Sequence, residues 1–282
     1  MRFALVLSGG GTSGVAWETG VLKGLRDAGV DLTEPDLFVG TSAGAIVGAQ
    51  LATGHDLDEL FNRQLQPPQP GPIRNVDALM RALGDLRRRA PTPSGPLPAQ
   101  LLAELGAAAL AAQTESEQSR LATVKSYLPL ADAWPERPLR ITALDTADGS
   151  LVVWDRNSNA TLVEAVASSC AAPLIAPPTT IGERRYMDAG VLSGTHAQLA
   201  AGHPLVVVLA VTRPGPPLGP LADEIATLRL GGSRVELVLP DPSSLDAMFP
   251  NPLDQTRRKA AAEAGHTQGL ALATTVREWI NV

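Results

Sequence analysis

The pattern of apolar and polar positions divides the chain into short apolar runs and longer segments with helical periodicity. The apolar runs predict strands and lie at residues 3–7, 37–39, 205–211 and 235–239. The longest of them, 205–211, is typical of a central parallel strand that is buried on both faces. Segments with helical periodicity follow these runs, at residues 15–25, 45–51, 221–230 and 253–279. Strands that alternate with helices predict an α/β sandwich.

Shorter strands and tight turns are predicted in the centre of the chain. Apolar runs on both sides of Asp148 and Gly149 are a strong signal for a β-hairpin. Thr161 and Glu164 have the spacing of a capping box, which predicts the start of a helix. A further short strand is expected to end at Asp188, which small residues follow.

Residues 64–135 differ in character and are expected to form a helical insertion, here called the cap, within one domain that spans residues 1–282. Apolar residues at three- and four-residue steps over 73–86 predict an amphipathic helix that ends in the arginines 87–89. Residues 97–128 predict one or two further helices. The favoured interpretation is a cap packed on the core with solvated arginines, and the alternative is a lid that faces a membrane or the substrate.

Composition narrows the classes of function. The chain of 282 residues is 44% hydrophobic and 18% charged, which is enough for a sizeable core. Its net charge of -6 argues against a nucleic-acid partner and against strong attraction to anionic membranes. The single cysteine, Cys170, can form no intrachain disulfide, and no metal site or cofactor is expected. A cytoplasmic setting fits, and no apolar run is long enough to span a bilayer, so any membrane contact is expected to be peripheral.

Candidate chemistry begins directly after the second predicted strand. Gly40, Ser42 and Gly44 match G-x-S-x-G between a strand and a helix. Such a turn holds the serine in a strained conformation, and glycines on either side avoid collisions with the neighbouring strand and helix. The helix N-terminus beside the serine favours an anion. The stretch therefore predicts a nucleophilic serine for acyl transfer.

The first predicted strand runs into a glycine-rich loop with two interpretations. Gly9, Gly11 and Gly14 match the G-x-G-x-x-G pattern of dinucleotide-binding loops. That interpretation needs an acidic residue at the end of the second strand, where Ser42 stands instead. The alternative is an oxyanion hole, because glycine N–H groups can converge on a negative oxygen, and one such donor lowers the barrier by roughly 3 to 4 kcal/mol.

Three motifs taken together resemble those of the patatin-like lipid acyl hydrolases. In chain order they are Gly9-Gly10-Gly11-x-x-Gly14, Gly40-x-Ser42-x-Gly44 and Asp188-x-Gly190. The resemblance also covers residues 168–173, and it spans the two ends of 3–211 without matching the cap. It implies a three-layer α/β/α sandwich with a mostly parallel central sheet. It also implies hydrolysis of fatty-acyl esters of lipids by a serine–aspartate dyad, without histidine and generally without a metal.

The resemblance assigns roles to individual residues. Ser42 would be the nucleophile and Asp188 the general base. The N–H groups of Gly10, Gly11 and Ala43 would hold the tetrahedral oxyanion. The other motif glycines are Gly9, Gly14, Gly40, Gly44 and Gly190. The implied partner is a lipid or another fatty-acyl ester.

Two departures from the family pattern keep alternatives open. Ser13 stands where the family usually has Arg or Lys, and Ala189 stands where it usually has glycine. Positive φ costs alanine roughly 1 kcal/mol or more, so a different backbone is expected at Ala189. One alternative is a Ser-Asp/Glu-His triad that uses His196, His203 or His266. The other is a catalytically weak lipid-binding module.

Overall fold

The structure is a computed structural model that describes residues 2–68, 76–92, 95–129, 133–212 and 219–280. The described residues form one sheet of eight strands with helices on both faces. The strands are β1 (Phe3–Leu7), β2 (Leu37–Gly40), β3 (Leu139–Asp145), β4 (Leu151–Trp154), β5 (Thr179–Ile181), β6 (Arg184–Asp188), β7 (Leu205–Leu209) and β8 (Arg234–Val238). The helices are α1 (Gly11–Asp27), α2 (Ala43–Ala52), α3 (Leu57–Leu65), α4 (Asp77–Arg89), α5 (Ala99–Ala111), α6 (Glu117–Tyr127), α7 (Leu162–Ser169), α8 (Pro220–Leu230), α9 (Pro242–Met248) and α10 (Arg258–Ile280).

The sheet is mixed and mostly parallel, as expected. Hydrogen-bonded neighbours follow the path β5-β6-β3-β2-β1-β7-β8, and β4 pairs with the edge of β3 opposite to the one shared by β2 and β6. The five strands from β3 to β8 along this order run parallel to one another. β4 and β6 are both antiparallel to β3, and β5 is antiparallel to β6. The predicted central strand is β7, which lies between β1 and β8 and is buried throughout.

Alternate residues of β1 show that the sheet separates two hydrophobic cores, one on each face. Phe3, Leu5 and Leu7 belong to a cluster with residues of α1, α2, α7 and α10. Ala4 and Val6 belong to a second cluster with residues of α8 and of the two parallel neighbours of β1. Since successive strand side chains point to opposite faces, each face of the sheet is covered by its own helical layer. The fold is thus an α/β/α sandwich.

The cap helices α4, α5 and α6 lie between α3 and β3 in the chain. Leu86 of α4 and Leu102 of α5 belong to a third hydrophobic cluster, together with Met187 and Ala189. These two residues flank Asp188 at the end of β6. The favoured interpretation, a cap packed on the core, therefore agrees with the observed contacts.

The arginines at the end of α4 are largely exposed, as expected, and they also have partners. Arg88 forms an ion pair with Asp85, and Arg89 forms one with Glu104 at 2.7 Å. Arg87 donates a hydrogen bond to a backbone carbonyl within the cap. The positive charges are therefore partly neutralised by neighbouring groups, which could not be predicted from residues 87–89 alone.

The hairpin and the capping box are confirmed. β3 and β4 pair as antiparallel strands on either side of the turn at Asp148 and Gly149. The Thr161 hydroxyl accepts the N–H of Glu164, and the Glu164 carboxylate accepts the N–H of Thr161. Both features depend on neighbouring residues only, which is why sequence spacing predicts them.

Helix boundaries differ slightly from the predictions. The amphipathic helix of the cap is α4, and the predicted start at Ile73 lies outside the described residues. The closing helix starts at Arg258 rather than at Leu253. The reason is that Asp254 caps a separate 3₁₀ turn, Gln255–Arg257, by accepting the N–H of Thr256.

Candidate active site

Two strands, β2 and β6, end close to each other along one edge of β3. β4 occupies one edge of β3 at both Ile141 and Ala143. Because β2 also pairs with β3 at Ile141 and β6 at Ala143, both of these strands lie on the opposite edge of β3. β2 ends at Gly40, opposite Ile141, and β6 ends at Asp188, opposite Ala143. Because these strands run towards each other, their ends are separated by about 7 Å, the length of two strand residues. Ser42, two residues beyond β2, is thereby brought to Asp188.

Ser42 lies at the tip of the turn between β2 and α2. Its backbone has φ 52° and ψ -111°, a conformation that costs a non-glycine residue about 1–3 kcal/mol. The turn is compact, since a Cβ on Gly44 would lie 2.0 Å from the carbonyl oxygen of Leu7. The Gly44 N–H donates to the Ser8 carbonyl at 2.9 Å, which ties the turn to the end of β1. Ser42 itself remains half-buried rather than fully enclosed.

Asp188 is a buried carboxylic acid with a shifted pKa. Its residue is only 6% exposed. Burial raises the pKa of Asp188 to about 6, against the opposing effects of a hydrogen bond from the Ser42 side chain, the Gly190 N–H and the positive charge of Arg120. The Gly190 N–H donates to Asp188 Oδ1 at 2.7 Å. A carboxylate with this pKa is ionised at neutral pH and is still a useful proton acceptor.

The turn at the end of α7, residues 169–171, contacts both residues of this pair. Ser169 Oγ accepts the N–H of Ser42 at 2.8 Å. The Cys170 thiol donates to the Ser42 carbonyl at 3.2 Å, and the Ala171 carbonyl accepts the Asp188 N–H at 3.0 Å. Cys170 is buried, as expected for a small core residue. The sequence pattern did not indicate that three successive residues hold Ser42 and Asp188.

The glycine loop lies directly against Ser42. A Cβ built on Gly9 would be 3.4 Å from the Cβ of Ser42. The N–H groups of Gly10, Gly11 and Ala43 have no acceptor within the part of the chain that the structure describes. Unused N–H donors beside a serine at a helix N-terminus favour a negative oxygen at this place.

A segment after α9 covers the glycine loop from the other side. The Pro252 carbonyl accepts the N–H of Ser13 at 2.9 Å. The same oxygen would be 2.9 Å from a Cβ on Gly11, whose φ of 61° also favours glycine. Ser13 is fully buried, and among the described residues its hydroxyl has no hydrogen-bond partner. Gly14 packs against the Cβ of Ala43, so the first turns of α1 and α2 are in contact.

Ala189 has a backbone conformation that alanine adopts readily, in line with the expectation of a different backbone here. It begins a short 3₁₀ helix, Ala189–Val191, and is not among the described residues that have positive φ. Asp188 caps this turn by accepting the N–H of Gly190. Alanine at this position therefore avoids the cost of positive φ.

Arg120 of α6 is a charged residue near the site that motif analysis missed. It is 8% exposed, and its Nη2 donates to the Cys170 carbonyl at 3.1 Å. Its charge also lowers the pKa of Asp188. A single arginine within the cap offers no sequence signal, because the cap matches no motif.

The histidines lie elsewhere or bind other groups. His196 is buried, its Nδ1 lies 3.3 Å from the Thr41 hydroxyl, and burial lowers its pKa to about 4. His203 lies against the Ala200 carbonyl, and His266 lies against Asp27. Within the described ranges, no hydrogen bond joins these ring nitrogens to Ser42 or Asp188.

A serine at a strained turn beside a buried carboxylate defines the class of site that supports acyl transfer through a serine. A family model described as Patatin-like phospholipase matches residues 5–201. This match covers more than half of the chain, which therefore belongs to the patatin-like phospholipase family. Its members are lipid acyl hydrolases, and the expectation of a lipid-hydrolysing enzyme is confirmed at this level. No curated protein matches the sequence.

Two solved structures are similar to this chain. VipD from Legionella pneumophila is 12% identical with a TM-score of 0.48, and the match covers 97% of this chain and 67% of VipD. The type III effector protein ExoU is 20% identical with a TM-score of 0.37, and the match covers 95% of this chain and 53% of ExoU. The chain thus spans about two thirds of one protein and about half of the other. Within its own described ranges, no helix has the length and apolarity to cross a membrane.

Proposed function

We propose that this protein is a serine acyl hydrolase that cleaves fatty-acyl ester bonds of lipids through a Ser42–Asp188 dyad. The observation that carries the proposal is the strained, half-buried Ser42 whose side chain is hydrogen-bonded to a carboxylate with a pKa of about 6. A base with this pKa is mostly ionised at neutral pH. Family membership supplies the substrate class.

The reaction follows from the positions of these groups. Asp188 takes the proton of the Ser42 hydroxyl while Oγ forms a bond to the acyl carbon, and the carbonyl oxygen becomes an oxyanion. The N–H groups of Gly10, Gly11 and Ala43 stabilise this oxyanion, each by roughly 3 to 4 kcal/mol. The ester bond then breaks, and Asp188 returns the proton to the departing alcohol. Water, deprotonated by the same carboxylate, then attacks the acyl carbon, the bond to Oγ breaks, and Asp188 returns the proton to Ser42 as the fatty acid leaves.

The experiment combines a covalent probe with substrate turnover. A fluorophosphonate probe is expected to label wild type and not Ser42→Ala, and Asp188→Asn is expected to label slowly. A panel of phosphatidylcholine, monoacylglycerol, triacylglycerol and p-nitrophenyl esters reports turnover. Ser126→Ala is the matched control, because Ser126 is exposed on α6 and lies outside the site. Absence of both labelling and turnover in the wild type would refute the proposal and favour a lipid-binding module.

The histidines give a second test of the mechanism. Replacing His196, His203 or His266 with Gln is expected to keep turnover within about threefold, since a dyad has no use for an imidazole. A loss of several orders of magnitude in a folded variant would favour a triad instead.

A further inference from the structure

The turn 169–171 is the shared support of Ser42 and Asp188. Ser169 and Cys170 contact the backbone N–H and carbonyl of Ser42, and Ala171 accepts the N–H of Asp188. A displacement of this turn would therefore change the position of the nucleophile and of the base together. Whatever holds the turn also controls the alignment of the pair.

One cap residue holds this turn. Arg120 donates from Nη2 to the Cys170 carbonyl at 3.1 Å. Cys170 caps the C-terminus of α7, where carbonyl oxygens lack helical partners and positive charge is favoured. We propose that Arg120 is a positioning residue for the Ser42–Asp188 pair, and that it acts through the turn 169–171 and makes the cap part of the active site.

A single hydrogen bond does not compensate for the cost of burying the charged side chain of Arg120. The residue is 8% exposed, and its Nε has no hydrogen-bond partner among the described residues. Burying a guanidinium is costly unless its charge is compensated, whereas a neutral amide would satisfy a single carbonyl at lower cost. Burial raises the pKa of Asp188 and the charge of Arg120 opposes this rise, so Asp188 is a negative charge within electrostatic reach of the guanidinium.

Other ionisable groups around Asp188 have partners of their own. Those on β3, β6 and the adjoining end of α6 are Arg140, Asp145, Tyr186, Arg184, Arg185 and Glu117, and Arg140 donates to the Leu199 carbonyl. Arg184 binds Asp145 at 2.6 Å, and Arg185 lies 3.5 Å from Glu117. His196, on the far side of Thr41, is neutral above about pH 4. Among the described residues, the charge that opposes the effect of burial on the pKa of Asp188 is that of Arg120.

The inference rests on the proposed function and is tested with a soluble ester. Turnover of p-nitrophenyl butyrate is measured from pH 4.5 to 8.5 for wild type, Arg120→Gln and Arg120→Lys. Gln keeps a donor for the Cys170 carbonyl but removes the charge, so kcat is expected to fall about tenfold with KM within about twofold. The acid limb of the profile is also expected to move to higher pH. Lys restores the charge, and the acid limb should return to its wild-type position.

The control is Arg87→Met, which removes a cap arginine that donates to the Gly95 carbonyl away from Asp188. Its pH profile should match that of the wild type. The inference would be overturned if Arg120→Gln kept both the kcat and the acid limb of the wild type. It would also be overturned if Arg120→Gln lost kcat without a shift of the acid limb and Arg120→Lys did not restore kcat. If Arg120→Gln does not fold, Arg120→Lys decides, because a tenfold loss of kcat or a displaced acid limb in that charge-conserving variant would then contradict the proposal. Failure of the proposed function itself would be seen separately, as a wild type that neither turns over ester nor labels at Ser42.

Discussion

Replacing Asp188 with Asn is expected to stabilise the folded protein while it removes activity. Burial raises the pKa of Asp188 from its usual 3.8 to about 6. A raised folded-state pKa means that the protonated form favours folding, so the wild type loses stability as pH rises from about 4 through about 6. The difference of roughly two pKa units corresponds to about 3 kcal/mol. Asn does not ionise and should escape this loss.

Urea denaturation at pH 4, 5, 6, 7 and 8 measures this effect, provided that unfolding is two-state. The gain in free energy of unfolding for Asp188→Asn should be near zero at pH 4 and approach about 3 kcal/mol above pH 7. Asp58→Asn is a control of opposite sign, because hydrogen bonds and charges from Lys23 and Arg26 lower the pKa of Asp58. That variant should be less stable than wild type at neutral pH and equal to it in strong acid.

A stability difference between Asp188→Asn and wild type that stays constant from pH 4 to 8 would refute this reasoning. It would mean that the carboxyl group of Asp188 is not held in a desolvated environment. A destabilised Asn variant at pH 7 would have the same meaning. Circular dichroism of both proteins at each pH identifies any loss of fold that would distort the comparison.

Three further outcomes are expected. The value of kcat/KM should rise with pH through about 6 as Asp188 ionises, and a profile without an acid limb near this pH would contradict its role as base. Gly44→Ala should destabilise the protein by several kcal/mol because its Cβ would meet the Leu7 carbonyl. Gly84→Ala in α4 should be neutral or stabilising by about 1 kcal/mol, because a Cβ there would meet only the Arg88 side chain at 3.6 Å; equal thermal stabilities of the two variants would contradict this. Thr161→Ala should lose about 1 kcal/mol in chemical denaturation without a change in kcat, and a change in kcat alone would be unexpected.

Local patterns in the sequence were sufficient to predict much of the fold. The strand, turn and helix around Ser42, the hairpin at Asp148 and the capping box at Thr161 depend on residues a few positions apart. Apolar runs indicated β1 and β7 because strands buried on both faces need apolar residues throughout. The motifs also pointed to Ser42 and Asp188 as candidates, although spacing alone does not show that residues so far apart in the chain meet.

Tertiary structure decided how the candidate site is put together. β2 and β6 share one edge of β3, and this pairing brings Ser42 to Asp188 and buries the carboxyl group that acquires a pKa of about 6. Arg120 from the cap and Pro252 after α9 reach the site from segments without a motif. Sequence patterns describe periodicity and neighbouring residues, so they carry local structure. Contacts between distant segments, and the desolvation that sets the pKa of a buried group, arise only when the whole chain packs.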